Sequence, residues 1–139
     1  MQTIISYLTF TGDCRKAMQF YQKCLGGELN FQTIGESPLC EKMPLKMKRC
    51  ILHAALINEN IVLMGSDMVS QKRLLKGNAV SLMLNCDSER KAKSFYKKLS
   101  QGGKQTQPLD DTFWGALFGG LIDKYGNHWL LNFTKSINN

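Results

Sequence analysis

The chain has 139 residues, of which 43% are hydrophobic and 21% charged, and these values predict one folded domain over residues 1–139. No apolar run approaches the roughly 18 residues of a membrane-spanning helix, and the start lacks the basic segment and cleavage site of a signal peptide. Both absences predict a protein without a membrane partner. The formal charge of +7 leaves three interpretations open: an anionic ligand, a nucleic-acid partner, or only a solvated basic surface.

The cysteines predict the cellular compartment, and the absence of nucleic-acid-binding patterns narrows the interpretations of the charge. The five cysteines show no C-x-x-C spacing, which predicts free thiols in a reducing compartment and therefore a cytoplasmic location. The sequence has neither a basic tail nor the Arg/aromatic pattern of an RNA-binding sheet. A nucleic-acid partner is therefore the weakest of the three interpretations.

The first half of the chain shows strand, helix and strand patterns in turn. Thr3–Phe10 is rich in β-branched and aromatic residues, which predicts a strand. Apolar residues then recur at three- and four-residue steps between the N-cap candidate Asp13 and Gly26, which predicts an amphipathic helix. Three more strands are predicted at Glu28–Ile34, Ile51–Ile57 and Ile61–Ser66, with residues 58–60 as the turn of a hairpin.

The second half repeats this order after a predicted linker at residues 68–78. Ala79–Asn85 is predicted to be a strand, and a helix follows from the N-cap candidates Asp87 or Ser88 to Gly102. The remaining strands are predicted near Lys104–Gln107, around Trp114–Ile122 and at His128–Phe133. Each half therefore has the order β-α-β-β-β.

The two helices share an internal repeat. Arg15-Lys16-Ala17-x-x-Phe20-Tyr21-x-Lys23 recurs 75 residues later as Arg90-Lys91-Ala92-x-x-Phe95-Tyr96-x-Lys98. We interpret the chain as two tandem βαβββ modules, residues 1–67 and 79–135. The predicted fold class is α+β, with a cup-shaped mixed sheet and the helices outside, and the concave side is the expected site for a small ligand.

Two stretches carry a resemblance to a known family. The first is Tyr7-x-x-Phe10-x-Gly12-x-Cys14-x-x-Ala17-x-x-Phe20-Tyr21, and the more specific one is Thr112-Phe113-Trp114-x-x-x-Phe118-Gly119-x-x-x-Asp123-x-Tyr125-Gly126-x-x-Trp129. The chain resembles the vicinal-oxygen-chelate superfamily of glyoxalases, bleomycin-resistance proteins and dioxygenases, and within it the PhnB-like branch. The resemblance covers nearly the whole chain, with one departure at Tyr125, where Phe is expected.

The resemblance implies where a divalent metal ion would bind. Relatives hold such an ion on the first, fourth, fifth and eighth strands, where it acts as a Lewis acid. The corresponding positions here are Ser6, Leu63 or Met64, Val80 or Ser81, and Leu130. Because hard cations need carboxylate, amide or imidazole donors, we expect no metal site and no cofactor. The resemblance also implies a homodimer, and exposed sheet edges favour one.

The same positions define the predicted binding site. Ser6, Met64, Ser81 and Leu130 are expected to line the cup, with Trp114, Phe118 and Trp129 at its wall and His53 as the polar anchor. Trp129 lies in a mostly apolar strand, so core packing is an equal alternative for it. The basic residues Lys42, Lys46, Lys48 and Arg49 could close over an anionic ligand.

No catalytic residue can be assigned from the sequence. There is no nucleophile elbow of the G-x-S-x-G type, and the carboxylates Asp67 and Asp111 fall near predicted loops. We therefore predict a metal-independent protein that binds a small molecule, and leave open whether it is an enzyme. The first alternative is a metal-dependent lyase or dioxygenase with atypical ligands, and the weaker one is a basic nucleic-acid-binding protein.

Overall fold

The computed structural model describes residues 1–36, 44–68 and 73–135. The chain divides into two compact units, Met1–Leu75 and Lys76–Asn139, with the boundary inside the predicted linker. Among the described residues, none of the helices has the length and apolar character needed to span a bilayer. The predictions of a single domain and of a cup-shaped sheet concern both units together, and they stay predictions.

The first unit contains a four-stranded mixed sheet. Its elements are β1 (Ser6–Phe10), α1 (Cys14–Leu25), β2 (Glu28–Thr33), a 3-10 turn (Ile34–Glu36), the short α2 (Leu45–Lys48), β3 (Ile51–Asn58) and β4 (Ile61–Asp67). The strand order is β1-β4-β3-β2, and β1 is parallel to β4 while the other neighbours are antiparallel. A parallel pair needs a long crossover, and here α1, β2 and β3 lie between the two strands in sequence.

The second unit has the same architecture. Its elements are β5 (Leu82–Asn85), α3 (Glu89–Ser100), β6 (Lys104–Asp111), β7 (Ala116–Ile122) and β8 (His128–Thr134). The strand order is β5-β8-β7-β6, with β5 parallel to β8 and the other neighbours antiparallel. The predicted α+β class and the βαβββ order of each module are therefore confirmed.

The helical repeat appears in the structure as two matching helices. Both α1 and α3 have 12 residues, and α3 begins and ends 75 residues after α1. Tyr21 and Tyr96 occupy the same helical position, and both are buried against the sheet of their own unit. Phe20 is also buried, whereas Phe95 is half-buried.

Several strand ends differ from the predicted ones. β1 begins at Ser6 rather than Thr3, and its first paired residue is Ser6, opposite Leu63 of β4. β6 is longer than predicted and extends to Asp111. β7 begins at Ala116, because residues 112–115 form the turn between β6 and β7.

Candidate functional site

Each sheet has one face that packs against a helix and one that no described helix of its unit covers. In the first unit, α1 packs against β2, β3 and β4, and the side chains beneath it are almost completely buried. Side chains alternate between the two faces along a strand. The opposite face, here called the first helix-free face, therefore carries Tyr7, Thr9, His53, Met64 and Ser66.

The register of β1 on β4 decides which predicted residues lie on this face. Tyr7 is the partner of Met64, so both side chains belong to the first helix-free face. Ser6 is the partner of Leu63, which is 4% exposed, and the structure instead places Ser6 on the helix side. Ser6 rather than Tyr7 was predicted from the sequence for this face. The alternation signal was available, because Phe10 is an obvious core residue and Tyr7 lies an odd number of positions before it.

His53 has a polar partner on the same face. The Oη atom of Tyr7 lies 3.5 Å from Nδ1 of His53, and the two ring centroids are 5.9 Å apart with a tilt of 32°. Gln32 on β2 is the register partner of His53 and lies beside it. Tyr7 is 51% exposed and His53 is half-buried, so a bound molecule could reach this pair.

The second helix-free face belongs to the second unit and is defined by Met83, Asn85, Phe118, Leu130 and Asn132. Met83 is the partner of Leu130, and Asn85 is the partner of Asn132, so these residues form two adjacent rows across β5 and β8. Phe118 on β7 continues the row of Asn132. The predicted site residues Leu130 and Phe118 therefore share this face. Ser81 is exposed and immediately precedes β5.

Trp114 belongs to an aromatic cluster at the β6–β7 turn. Its ring centroid is 5.0 Å from that of Phe113 and 6.1 Å from that of Phe118, both in edge-to-face geometry. Phe113 is 98% exposed and Trp114 is 58% exposed. The turn is held by hydrogen bonds in both directions between Thr112 and Ala116, at 2.8–3.1 Å. The exposed rings are thus presented from a well-bonded turn.

The glycines of β7 do not open a path for a ligand. A Cβ atom at Gly119 would lie 2.7 Å from the Cα atom of Leu109 on β6. A Cβ atom at Gly120 would lie 3.2 Å from both Leu130 Cδ2 and Thr106 Oγ1. The space beside these two glycines is therefore filled by the chain itself.

Trp129 lies in the core of the second unit, away from the second helix-free face. The side chain is 2% exposed, and its indole N–H donates to Oδ2 of Asp123 at 2.8 Å. Odd-numbered residues of β8, including Leu131, face the helix side, whereas Leu130 faces the opposite side. Of the two interpretations of Trp129, the structure supports core packing.

The two carboxylates expected near loops, Asp67 and Asp111, have partners within the protein. Asp67 is 7% exposed, and its carboxylate accepts backbone hydrogen bonds from Gly12, Cys14 and Ile51 at 2.8–3.0 Å. Asp111 is exposed and forms an ion pair with Lys135, which raises the pKa of the lysine. Both carboxylates therefore have structural partners.

The strand positions that would hold a metal ion have unsuitable donors. On the helix-free faces the register places Tyr7 beside Met64 and Met83 beside Leu130, whereas the expected Ser6 lies on the helix side and Ser81 precedes β5. Within the described ranges, no group of three or more His, Cys, Asp or Glu residues is arranged to bind a metal ion. A phenol, two thioethers and an alkyl chain do not fit a hard divalent cation.

Two described thiols are poor candidates for a nucleophile. Burial is the main cause that raises the pKa of Cys14 to about 12, and Asp67 and Asp13 nearby raise it further. Burial likewise raises the pKa of Cys86 to about 11, with a contribution from Asp87. At neutral pH both side chains are thiols, the less reactive form.

The basic residues are described only in part. Lys42 lies outside the described residues, as does the side chain of Lys46, whereas Lys48 is half-buried and Arg49 is exposed. In the second unit, a shallow depression of about 510 Å³ runs along the outer side of α3, lined by Lys93, Ser94, Lys97, Lys98 and Gln101. Neither helix-free face contributes a residue to it.

Comparison with known proteins identifies the family. The sequence model of the family described as 3-demethylubiquinone-9 3-methyltransferase matches residues 2–132. This chain belongs to that PhnB-like family. Among curated relatives, protein YjdN of Escherichia coli K12 is 30% identical, and the match covers 93% of this chain and 93% of that protein.

Solved structures agree with the assignment to the PhnB-like family. Protein PA1353 of Pseudomonas aeruginosa is 34% identical with a TM-score of 0.86, covering 98% of this chain and 100% of that one. A putative 3-demethylubiquinone-9 3-methyltransferase, the PhnB protein of Bacillus cereus, is 28% identical with a TM-score of 0.76, covering 96% and 100%. A glyoxalase/bleomycin resistance protein/dioxygenase from Nocardioides shares the fold, at 17% identity, a TM-score of 0.60 and coverage of 100% and 88%.

Proposed function

We propose that this PhnB-like protein binds a small molecule without a metal ion, on the second helix-free face. The observation that carries the proposal is the exposed aromatic cluster beside that face. Trp114 and Phe113 remain largely exposed although a well-hydrogen-bonded turn holds them together with Phe118. Contiguous exposed aromatic rings next to polar groups are typical of ligand sites.

His53 remains the proposed polar anchor of the first helix-free face taken by itself, and Tyr7 is added to it. Their side chains lie close together on an otherwise mixed polar and apolar face, and both can donate or accept hydrogen bonds. The proposal assigns no reaction, because an activity has to be argued from a site and not from the fold. An anionic ligand is supported only by the net charge of +7.

The main alternative is a metal-dependent lyase or dioxygenase with atypical ligands. The side chains at the strand positions of the metal argue against it, since none is a carboxylate or an imidazole. We expect tag-free protein to contain far less than one equivalent of Zn²⁺, Ni²⁺, Mn²⁺ or Fe²⁺ by elemental analysis. Chelators should leave the melting temperature unchanged. Stoichiometric metal would favour the alternative.

We also propose a cytoplasmic homodimer. Each described sheet ends in two edge strands, β1 and β2 in the first unit and β5 and β6 in the second. Such edges and the exposed apolar side chains beside them favour pairing with a second copy. Sedimentation equilibrium should give twice the 15.7 kDa chain mass at micromolar concentration. A monomer there would contradict this part of the proposal.

The binding proposal is tested by comparing the melting temperatures of the wild type and of Trp114→Ala with and without candidate ligands. A panel of phosphonates, phosphates, carboxylates and neutral aromatic compounds is screened for a rise in melting temperature, which follows from binding to the folded state. We expect Trp114→Ala to abolish the rise while its far-UV circular dichroism stays native. The control is the double variant Lys97→Ala/Lys98→Ala, at the depression on α3. If the control loses binding and Trp114→Ala keeps it, the proposed site is wrong.

A further inference from the structure

The aromatic cluster continues into a pair of asparagines on the second helix-free face. Phe118 is the register partner of Asn132, so their Cβ atoms lie roughly 4.5–5.5 Å apart on one face. Asn132 is in turn the partner of Asn85. We call Trp114, Phe118, Asn132 and Asn85 the aromatic–amide stripe. It places flat apolar rings and side-chain amides in one line.

The hydrogen bonds of the stripe orient both amides. Nδ2 of Asn132 donates to Oδ1 of Asn85 at 2.9 Å and to Oγ1 of Thr134 at 3.3 Å, which uses both of its hydrogens. The remaining polar atoms are Oδ1 of Asn132, an acceptor, and Nδ2 of Asn85, a donor. Among the described residues, neither atom makes a hydrogen bond to the protein.

We propose that the aromatic–amide stripe recognises a neutral planar ring that carries a lactam or carboxamide edge. This inference rests on the proposed function. Such an edge presents an N–H donor beside a C=O acceptor, the complement of Oδ1 of Asn132 and Nδ2 of Asn85. The ring itself would contact Trp114 and Phe118, whose faces favour flat aromatic partners.

The charges around the stripe favour a neutral ligand over an anion. Phe118 on β7 has two register partners, Asn132 on β8 and Asp110 on β6. The carboxylate of Asp110 accepts a hydrogen bond from the backbone N–H of Asp111. The carboxylate of Asp111 is paired with Lys135. Among the described residues Asp110 forms no ion pair, so its negative charge beside Phe118 would repel an anionic ring.

A matched pair of probes tests the proposal. 2-Quinolinone carries the lactam edge and quinoline has the same bicyclic frame without it, and both are titrated by tryptophan fluorescence and by ¹H–¹⁵N spectra of side-chain amides. We expect 2-quinolinone to bind about tenfold more tightly, the effect of two neutral hydrogen bonds. Asn132→Leu should remove this preference and leave quinoline unaffected, whereas Trp114→Ala should weaken both.

A control variant and the possible outcomes distinguish the lactam inference from the proposed binding function. Asn30→Leu changes an exposed strand asparagine of the first unit and should leave both affinities at wild-type values. If both probes bind equally to wild type, or Asn132→Leu retains the preference, the lactam inference is wrong and the binding function stands. Failure of both probes also overturns the inference. The function itself fails only if no compound of the wider panel depends on Trp114.

Discussion

Asp67 in the first unit and Asp123 in the second are both buried carboxylates, 7% and 3% exposed, and each accepts three N–H donors. Asp67 joins segments that are distant in sequence. Its donors are the backbone N–H groups of Gly12 and Cys14, more than 50 residues away, and of Ile51 at the start of β3. It thus connects the start of α1 to the two central strands of its sheet.

Three N–H donors to Asp123 lie close to it in sequence. Its Oδ1 atom accepts from the backbone N–H groups of Tyr125 and Asn127 at 2.8 and 3.1 Å, and its Oδ2 atom accepts from the indole of Trp129. All three donors lie within six residues. The two units have the same element order, but their buried aspartates accept hydrogen bonds from donors at different distances along the chain. Removing each aspartate should therefore lower the free energy of unfolding by a different amount.

The largest effect is expected for Asp67→Ala. The substitution leaves three N–H donors at the junction of α1, β3 and β4 without an acceptor, so the free energy of unfolding should fall by about 3–5 kcal/mol. Urea unfolding followed by circular dichroism measures this change. Asp13→Ala is the control, because the carboxylate of Asp13 makes no cap hydrogen bond to the described residues of α1 and should cost under about 0.5 kcal/mol.

The same variant tests whether the chain unfolds as one domain. Both tryptophans lie in the second unit, so fluorescence reports on that unit alone while circular dichroism reports on both. With one cooperative domain, the two signals of Asp67→Ala should shift to the same lower urea concentration. A fluorescence transition that stays at the wild-type midpoint would mean that the units unfold independently.

A smaller effect is expected for Asp123→Ala, about 2–3 kcal/mol, because its turn can be rehydrated more easily than the junction around Asp67. Trp129→Phe removes one donor of the same carboxylate and should cost about 1–2 kcal/mol, with the two changes less than additive in the double variant. Trp114→Phe serves as the control and should change stability by under about 0.5 kcal/mol, since this ring is largely exposed. Full additivity would contradict the indole–carboxylate contact.

The smallest effect compares the two helix starts. Ser88 Oγ accepts from the backbone N–H of Lys91 at 3.1 Å, so Ser88→Ala should lower the free energy of unfolding by about 1 kcal/mol. The carboxylate of Asp13 accepts instead from the backbone N–H of Thr11 at 3.2 Å, just before α1. A larger loss for Asp13→Ala than for Ser88→Ala, by urea unfolding, would reverse this assignment.

Local patterns were sufficient to predict most of the architecture. Helix periodicity, the glycines after each helix and the 75-residue repeat depend on neighbours within a few residues along the chain, so α1 and α3 and the βαβββ order could be predicted from the sequence. Trp114 and Phe118 were assigned to one site from the sequence and lie close together because they are four residues apart around a turn, but their role in binding stays a prediction. A helix cap is also local, so Ser88 could be named as an N-cap candidate.

Tertiary structure decided what depends on pairing between distant strands. The register of β1 on β4 places Tyr7 rather than Ser6 beside Met64, and a shift of one residue reverses every side chain of a strand. The burial of Trp129 depends on its contact with Asp123 and on α3. The role of Asp67 requires donors from three segments, and the amide pair requires β5 beside β8. Such contacts arise only when the chain folds, since no local pattern specifies which strand becomes the neighbour.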